Sequence, residues 1–233
     1  MPPITRLGND LVDLTAPGAT GKARDLRFLK RVFTSVEQDR ITCSPAPDRV
    51  LWRLWSAKEA AFKAWSRYLP DLVFAHSRFE VNPENGSVRT PEGTCRVHWL
   101  EQEDWIHCLA WTGFPEGLAW RVEGLAKRVP ENGPEAITIP SLQARGLALR
   151  LLARTGLPGV ELRREDRTQG RAGPPVALLH GRLLEDVLVS WSHDGSQVAA
   201  AVARAGTPAD ETAPHQQESP PFDGLFVGGE DGT

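Results

Sequence analysis

Apolar residues recur at a helical period along 51-LWRLWSAKEAAFKAW-65. At about 100° per residue, Leu51, Leu54, Trp55, Phe62 and Trp65 form one stripe. Lys58 falls inside that stripe, and Glu59 stands at its edge, one turn before Lys63. A lysine stem lying along apolar surface with its ammonium in water accounts for the first. An exposed i,i+4 pair, worth about 0.3 kcal/mol, accounts for the second. Whether more is meant depends on the rest of the chain.

The Pro45–Asp48 stretch starts this helix, with Asp48 as its N-cap. Upstream, residues 6–14 (RLGNDLVDL) read as a strand, and residues 22–41 as a basic helix with Phe28, Leu29, Val32 and Phe33 on its apolar side. Downstream, alternation predicts strands at 78–81, 95–100 and 104–112, with a turn at 82-NPENGS-87. Residues 124–139 hold Pro, Gly and charges and read as a connection. A second series then repeats the order. Ser141 caps a helix ending at Gly156, and strands follow at 159–164, 175–179, 187–192 and 197–203. The last two are joined by a tight turn over His193–Ser196, where Asp-Gly is a hairpin signal. The class is α+β: two pseudo-repeated halves, 1–123 and 140–204, each a helix packed on antiparallel strands.

Composition narrows the setting. Hydrophobic residues make up 40% of the 233 and charged residues 24%, ordinary for a globular protein. No apolar run approaches a membrane span, so no membrane partner is expected. The start, MPPITRLGND, lacks the basic and apolar segments of a signal peptide. Cys43, Cys95 and Cys108 are odd in number and lack metal spacing, which fits reduced thiols and a cytoplasmic protein. Residues 205–233 carry six acidic residues and no Lys or Arg, and removing them moves the net charge from −3 to +3. That acidic tail reads as disordered. The mildly basic body suits an acidic partner but falls short of a nucleic-acid signature, so none is expected.

Four local features carry chemistry. They are 8-GNDLVD-13, the Lys58-Glu59 pair with Lys63, the Arg-rich run 163-RREDRTQGRAGPP-175, and 190-SWSHDG-195. Asp10 and Asp13 are three apart, so an extended strand points them to opposite faces, and both cannot easily bind one ion unless the strand ends between them. A strand carboxylate and a helix carboxylate can share Mg²⁺, which keeps waters and takes other ligands from phosphates. Lysines and arginines beside it would hold phosphate oxygens. Phosphoryl-group transfer or hydrolysis is the chemistry these residues suggest. Each feature also has an ordinary reading: a turn cap for Asp10, a solvated edge for Arg163 and Arg164, a hairpin residue for His193.

Taken together, GND near the start, FLKRVFTSVE at 28–37, WSAKEAAFK at 55–63 and SWSHDG at 190–195 resemble the 4′-phosphopantetheinyl transferase superfamily. Its G-x-D strand and W-x-x-K-E-A-x-x-K helix both stand intact and in order. The resemblance spans about residues 6–204. It differs from the surfactin-type enzymes in half order: here the G-x-D/K-E half comes first. It differs from the small holo-acyl-carrier-protein synthases in length, which implies a pseudo-dimeric monomer with one site between the halves rather than a trimer.

The resemblance implies a phosphopantetheinyl transferase-like fold and a reaction. Coenzyme A gives its 4′-phosphopantetheine arm to a serine of an apo acyl or peptidyl carrier protein, releasing adenosine 3′,5′-bisphosphate. Asp10 and Glu59 would hold Mg²⁺, with Mn²⁺ also suited. Asp13 would stand behind them. Lys63 would contact phosphate and assist the leaving group, and Glu59 is one candidate for the base. Lys58 would reach a phosphate or a carboxylate partner. Ser192, His193, Arg171 and Arg145 would complete the coenzyme A contacts. Two alternatives stay open: a degenerate coenzyme A-binding module and a metal-dependent phosphate-ester hydrolase.

Overall fold

The computed structural model describes residues 6–69, 71–113, 120–129, 139–166 and 172–205. The 206–233 tail, Arg171 and most of the expected connection lie outside them. Strand β1 (Arg6–Asp13) opens the fold, followed by the short helices α1 (Leu26–Val32) and α2 (Ser35–Thr42). The single basic helix predicted over 22–41 is broken because Thr34 and Glu37 form a capping box that restarts the chain at α2.

Helix α3 (Pro47–Ser66) carries the opening stripe. Its first turn holds Pro47, not a capping side chain. Asp48 does not cap α3; its two oxygens accept from the backbone N–H groups of Gly21 and Ala23, tethering the loop after β1. Strands β2 (Glu80–Asn82), β3 (Ser87–Thr90), β4 (Gly93–Glu101) and β5 (Trp105–Thr112) complete a five-stranded antiparallel sheet in the order β1-β5-β4-β3-β2. Helix α3 packs across β1 and β5 of that sheet. Its core gathers Phe33, Ile41, Leu51, Leu54, Ala61 and Phe79.

Strand β6 (Trp120–Arg128) runs into the expected connection. Gly124 reads as a break in sequence, but it is needed inside the strand. A Cβ there would lie 2.9 Å from a Leu109 methyl and 3.2 Å from the His107 ring. Helix α4 (Pro140–Arg154) begins with Pro140 at its first position, so Ser141 lies inside the helix and does not cap it. Gly156, at φ 86°, ends it in the left-handed region, as the sequence predicts. Strands β7 (Glu161–Asp166), β8 (Ala172–Leu179) and β9 (Arg182–Leu183) form one antiparallel sheet. Strands β10 (Val187–Asp194) and β11 (Gln197–Ala205) form another with β6, in the order β10-β11-β6.

The α+β class and the repeat of element order hold at the level of pairing. In the first series β5 lies between β1 and β4, and in the second β11 lies between β6 and β10. Each series closes its last strand back onto its first. The edge strands β1 and β10 then pack against each other. Leu7, Leu109, Val122, Leu188, Ala201 and Ala203 form a small apolar core between them. No helix among the described residues is long and apolar enough to cross a membrane.

Candidate active site

The site is built on a close approach of strand and helix. Gly8 in β1 faces α3, where a Cβ would stand 2.1 Å from the Ala60 carbonyl oxygen and 2.5 Å from the Ala64 nitrogen. Only glycine lets strand and helix touch so closely. Two residues along β1, on the same face, Asp10 reaches α3 and accepts from Lys63 Nζ at 2.6 Å. Asp13 lies on the other face. Its carboxylate accepts from the Ser196 backbone N–H and hydroxyl at 3.0 Å and from Thr15, so it ties β1 to the β10–β11 hairpin. Asp13 also borders the groove described next, but its carboxylate is taken up by Thr15 and Ser196.

Asp10, Glu59, His193 and Asp194 line one groove of ≈ 380 Å³, with Phe28, Trp52 and Trp55 on its aromatic side. A smaller cavity of ≈ 220 Å³, against α4, is lined by Lys127 and Arg150 and shares no residue with the groove. The carboxylates of the groove are electrostatically uncomfortable. Burial pushes Glu59 up to about 7, and the neighbouring Asp10 charge adds to it while Lys63 opposes it. Burial also raises Asp10, Lys63 lowers it, and the Asp194 charge raises it further.

Such a groove suits a hard divalent cation. Two carboxylates share this groove, and a cation between them would offset the burial that raises both and the Asp10 charge that raises Glu59 further. Among the described residues no three His, Cys, Asp or Glu side chains converge as a protein cage. An ion there would keep places for water and phosphate oxygens, the open coordination that Mg²⁺ takes beside a pyrophosphate.

The other residues singled out in sequence fall in different places. Lys58 is fully buried, and its ammonium donates to Glu37 at 2.8 Å, to the His76 carbonyl at 3.1 Å and to the Phe79 carbonyl. Three acceptors use all three of its protons, so it has none for a phosphate and leaves the coenzyme A set. Ser192 is also buried, and its hydroxyl accepts from Asn9 Nδ2 at 2.9 Å, which puts it behind the groove rather than in it. Arg145 donates to the Leu162 carbonyl and joins α4 to β7. It does not line the groove. Arg171 lies outside the described residues. Asp10, Glu59 and His193 share the groove, and Lys63 reaches it through Asp10.

Sequence reasoning passed over Asn9 and Asp194, although both lie in quoted stretches. Their parity was the available signal: Asn9 alternates with Asp10, and Asp194 follows His193 into the turn.

The site also has a family. Residues 6–115, which include β1, α3 and the whole first sheet, match the model of the 4′-phosphopantetheinyl transferase superfamily. They form a domain of that superfamily. Comparison with curated proteins gives no match. This transferase-superfamily domain supplies Asp10, Glu59 and Lys63, while His193 and Asp194 come from residues beyond the matched region.

Proposed function

We propose that this protein transfers the 4′-phosphopantetheine arm of coenzyme A to a serine hydroxyl of an apo carrier protein. The observation that carries the reading is the convergence of Asp10, Glu59 and His193 on one groove, with Lys63 bound to Asp10, inside and beside a transferase-superfamily domain. The serine oxygen forms a bond to the pantetheine-side phosphorus, and the bond from that phosphorus to the bridging oxygen breaks. Adenosine 3′,5′-bisphosphate leaves with the bridging oxygen and the serine proton is released.

Asp10 and Glu59 would hold Mg²⁺, which when bound supplies neutralisation of charge on the pyrophosphate. Lys63 stands one turn beyond Glu59 on α3, and turning its ammonium from Asp10 to a phosphate oxygen would stabilise the leaving group. Glu59 would take the serine proton directly or through a water. His193 faces them from β10 and would contact a coenzyme A phosphate. The aromatic wall of Phe28, Trp52 and Trp55 gives the apolar part of the arm a surface. Both walls of the groove come from one chain, which supports action as a monomer.

Intact-mass analysis of a panel of apo carrier proteins tests this. Each is incubated with the protein, coenzyme A and Mg²⁺, beside Glu59→Ala and metal-free controls. A mass gain of one phosphopantetheine arm, absent from both controls, is the expected result. Coenzyme A binding without any gain would indicate a binding module, and coenzyme A consumption without carrier would indicate a hydrolase.

A further inference from the structure

His193 is the one groove residue singled out in sequence that comes from beyond the matched domain, and both of its neighbours are tied to β1. Before it, the Ser192 hydroxyl accepts from Asn9 Nδ2 at 2.9 Å. After it, Asp194 Oδ2 accepts from the Asp13 backbone N–H at 2.8 Å. On β1 those partners flank Asp10, since Asn9 immediately precedes it. The same Asn9 amide nitrogen lies 3.0 Å from His107 Nε2 on β5, so the amide is oriented from a third strand. With the nitrogen donating both ways, the ring carries its proton on Nδ1.

This network is unusual in where it sits. Asn9 and His107 are both fully buried, in the apolar contact between the two halves of the fold. Asn9 Oδ1 and His107 Nδ1 have no hydrogen-bond partner among the described residues. Buried polar atoms without partners cost stability, and an apolar pair of similar size would hold the halves together at lower cost. The value of the network is in register: it admits one alignment of β1 against β10.

We infer that Asn9 and Ser192 are positioning residues that hold His193 opposite Asp10 and Glu59. Neither touches the groove. Ser192 passes the alignment of β1 to the next residue of β10, and Asn9 anchors it one residue from Asp10. Rotating or sliding β10 by one residue would turn His193 away from the groove and Ser192 into it.

The inference rests on the proposed coenzyme A site, and a double-mutant cycle separates the two. Coenzyme A affinity is measured by calorimetry with Mg²⁺ for the wild-type protein, Ser192→Ala, His193→Ala and the double variant. Melting temperature is recorded for each. Ser192→Ala should weaken binding about fivefold, the scale of one lost buried hydrogen bond. His193→Ala should weaken it about tenfold, as for a charge-assisted contact to phosphate. The double variant should bind no more weakly than His193→Ala alone, because Ser192 acts only through His193. Asn9→Ala should repeat the pattern of Ser192→Ala. Losses that multiply in the double variant, or a Ser192→Ala protein that binds like the wild type, would overturn the inference while leaving the site standing. A wild-type protein that does not bind coenzyme A would overturn the proposed function and this inference with it.

Discussion

Glu59 carries the sharpest electrostatic consequence at the scale of a single residue. Its carboxyl titrates at about 7 in the folded chain against 4.5 as the ordinary value. Between those values the folded chain holds a proton that the unfolded chain has lost. The contribution of Glu59 to stability therefore falls as pH rises through that window and levels off above it. Glu59→Gln removes this contribution. Urea unfolding of the metal-free protein at about pH 5 and about pH 8 should show a smaller loss on the alkaline side in the variant than in the wild type. An equal loss would mean that Glu59 titrates like a surface carboxylate. Above that window Mg²⁺ should raise the melting temperature of the wild type and leave Glu59→Gln unmoved, because only ionised Asp10 and Glu59 together would hold the ion.

Helix α3 shows what decides the behaviour of an element. Its contact with β1 depends on Gly8, and the groups that a Cβ would strike are helix backbone, which cannot rotate away. Gly8→Ala should destabilise the fold by at least the ~1–3 kcal/mol typical of overpacking, and it should lower transfer as well. Chemical denaturation and the carrier-protein assay would read the two effects; a stable, fully active variant would contradict the close approach. On the opposite side of α3, Lys58 and Glu37 form a buried pair at 2.8 Å, and Glu37 also accepts from the backbone N–H groups of Thr34 and Val81. Lys58→Met strands the carboxylate, so a loss of about 3–5 kcal/mol is expected in the same measurement. A surface pair would lose far less. Much of α3 was legible because its stripe repeats every turn. The fate of Lys58 was not, since its partners lie 18 to 21 residues away in sequence. The start of α2 was written in Thr34 and Glu37 all along, but the apolar periodicity of 22–41 hid it.

For the whole molecule, the meeting of the two halves governs both acid response and legibility. His107 is buried there and its imidazole is pushed down to about 3 from 6.5. The unfolded chain takes up a proton that the folded one refuses, so the contribution of His107 to stability falls as pH drops from about 6.5 toward about 3. His107→Gln should flatten that acid limb in urea titrations, while Glu59→Gln should not. The sequence showed Asp10, Glu59 and Lys63 clearly because one strand and one helix contain them. It did not show Asn9 against Ser192, because that contact joins residues 183 apart. Nor did it show β6, whose Gly124 looks like a stop until Leu109 and His107 are placed against it.

The partnership of β1 with β10 and β11 also sets an order of events. A ribosome delivers β1 long before the β10–β11 hairpin. Helix α3 and the first sheet have their partners early, so Asp10 and Lys63 would find each other while the groove still has one wall. The Asp13 carboxylate must wait for Ser196, and the Asn9 amide for Ser192. A nascent chain therefore cannot complete the groove until β10 has been synthesised, and any chain cut short before β10 would carry Asp10, Glu59 and Lys63 without His193.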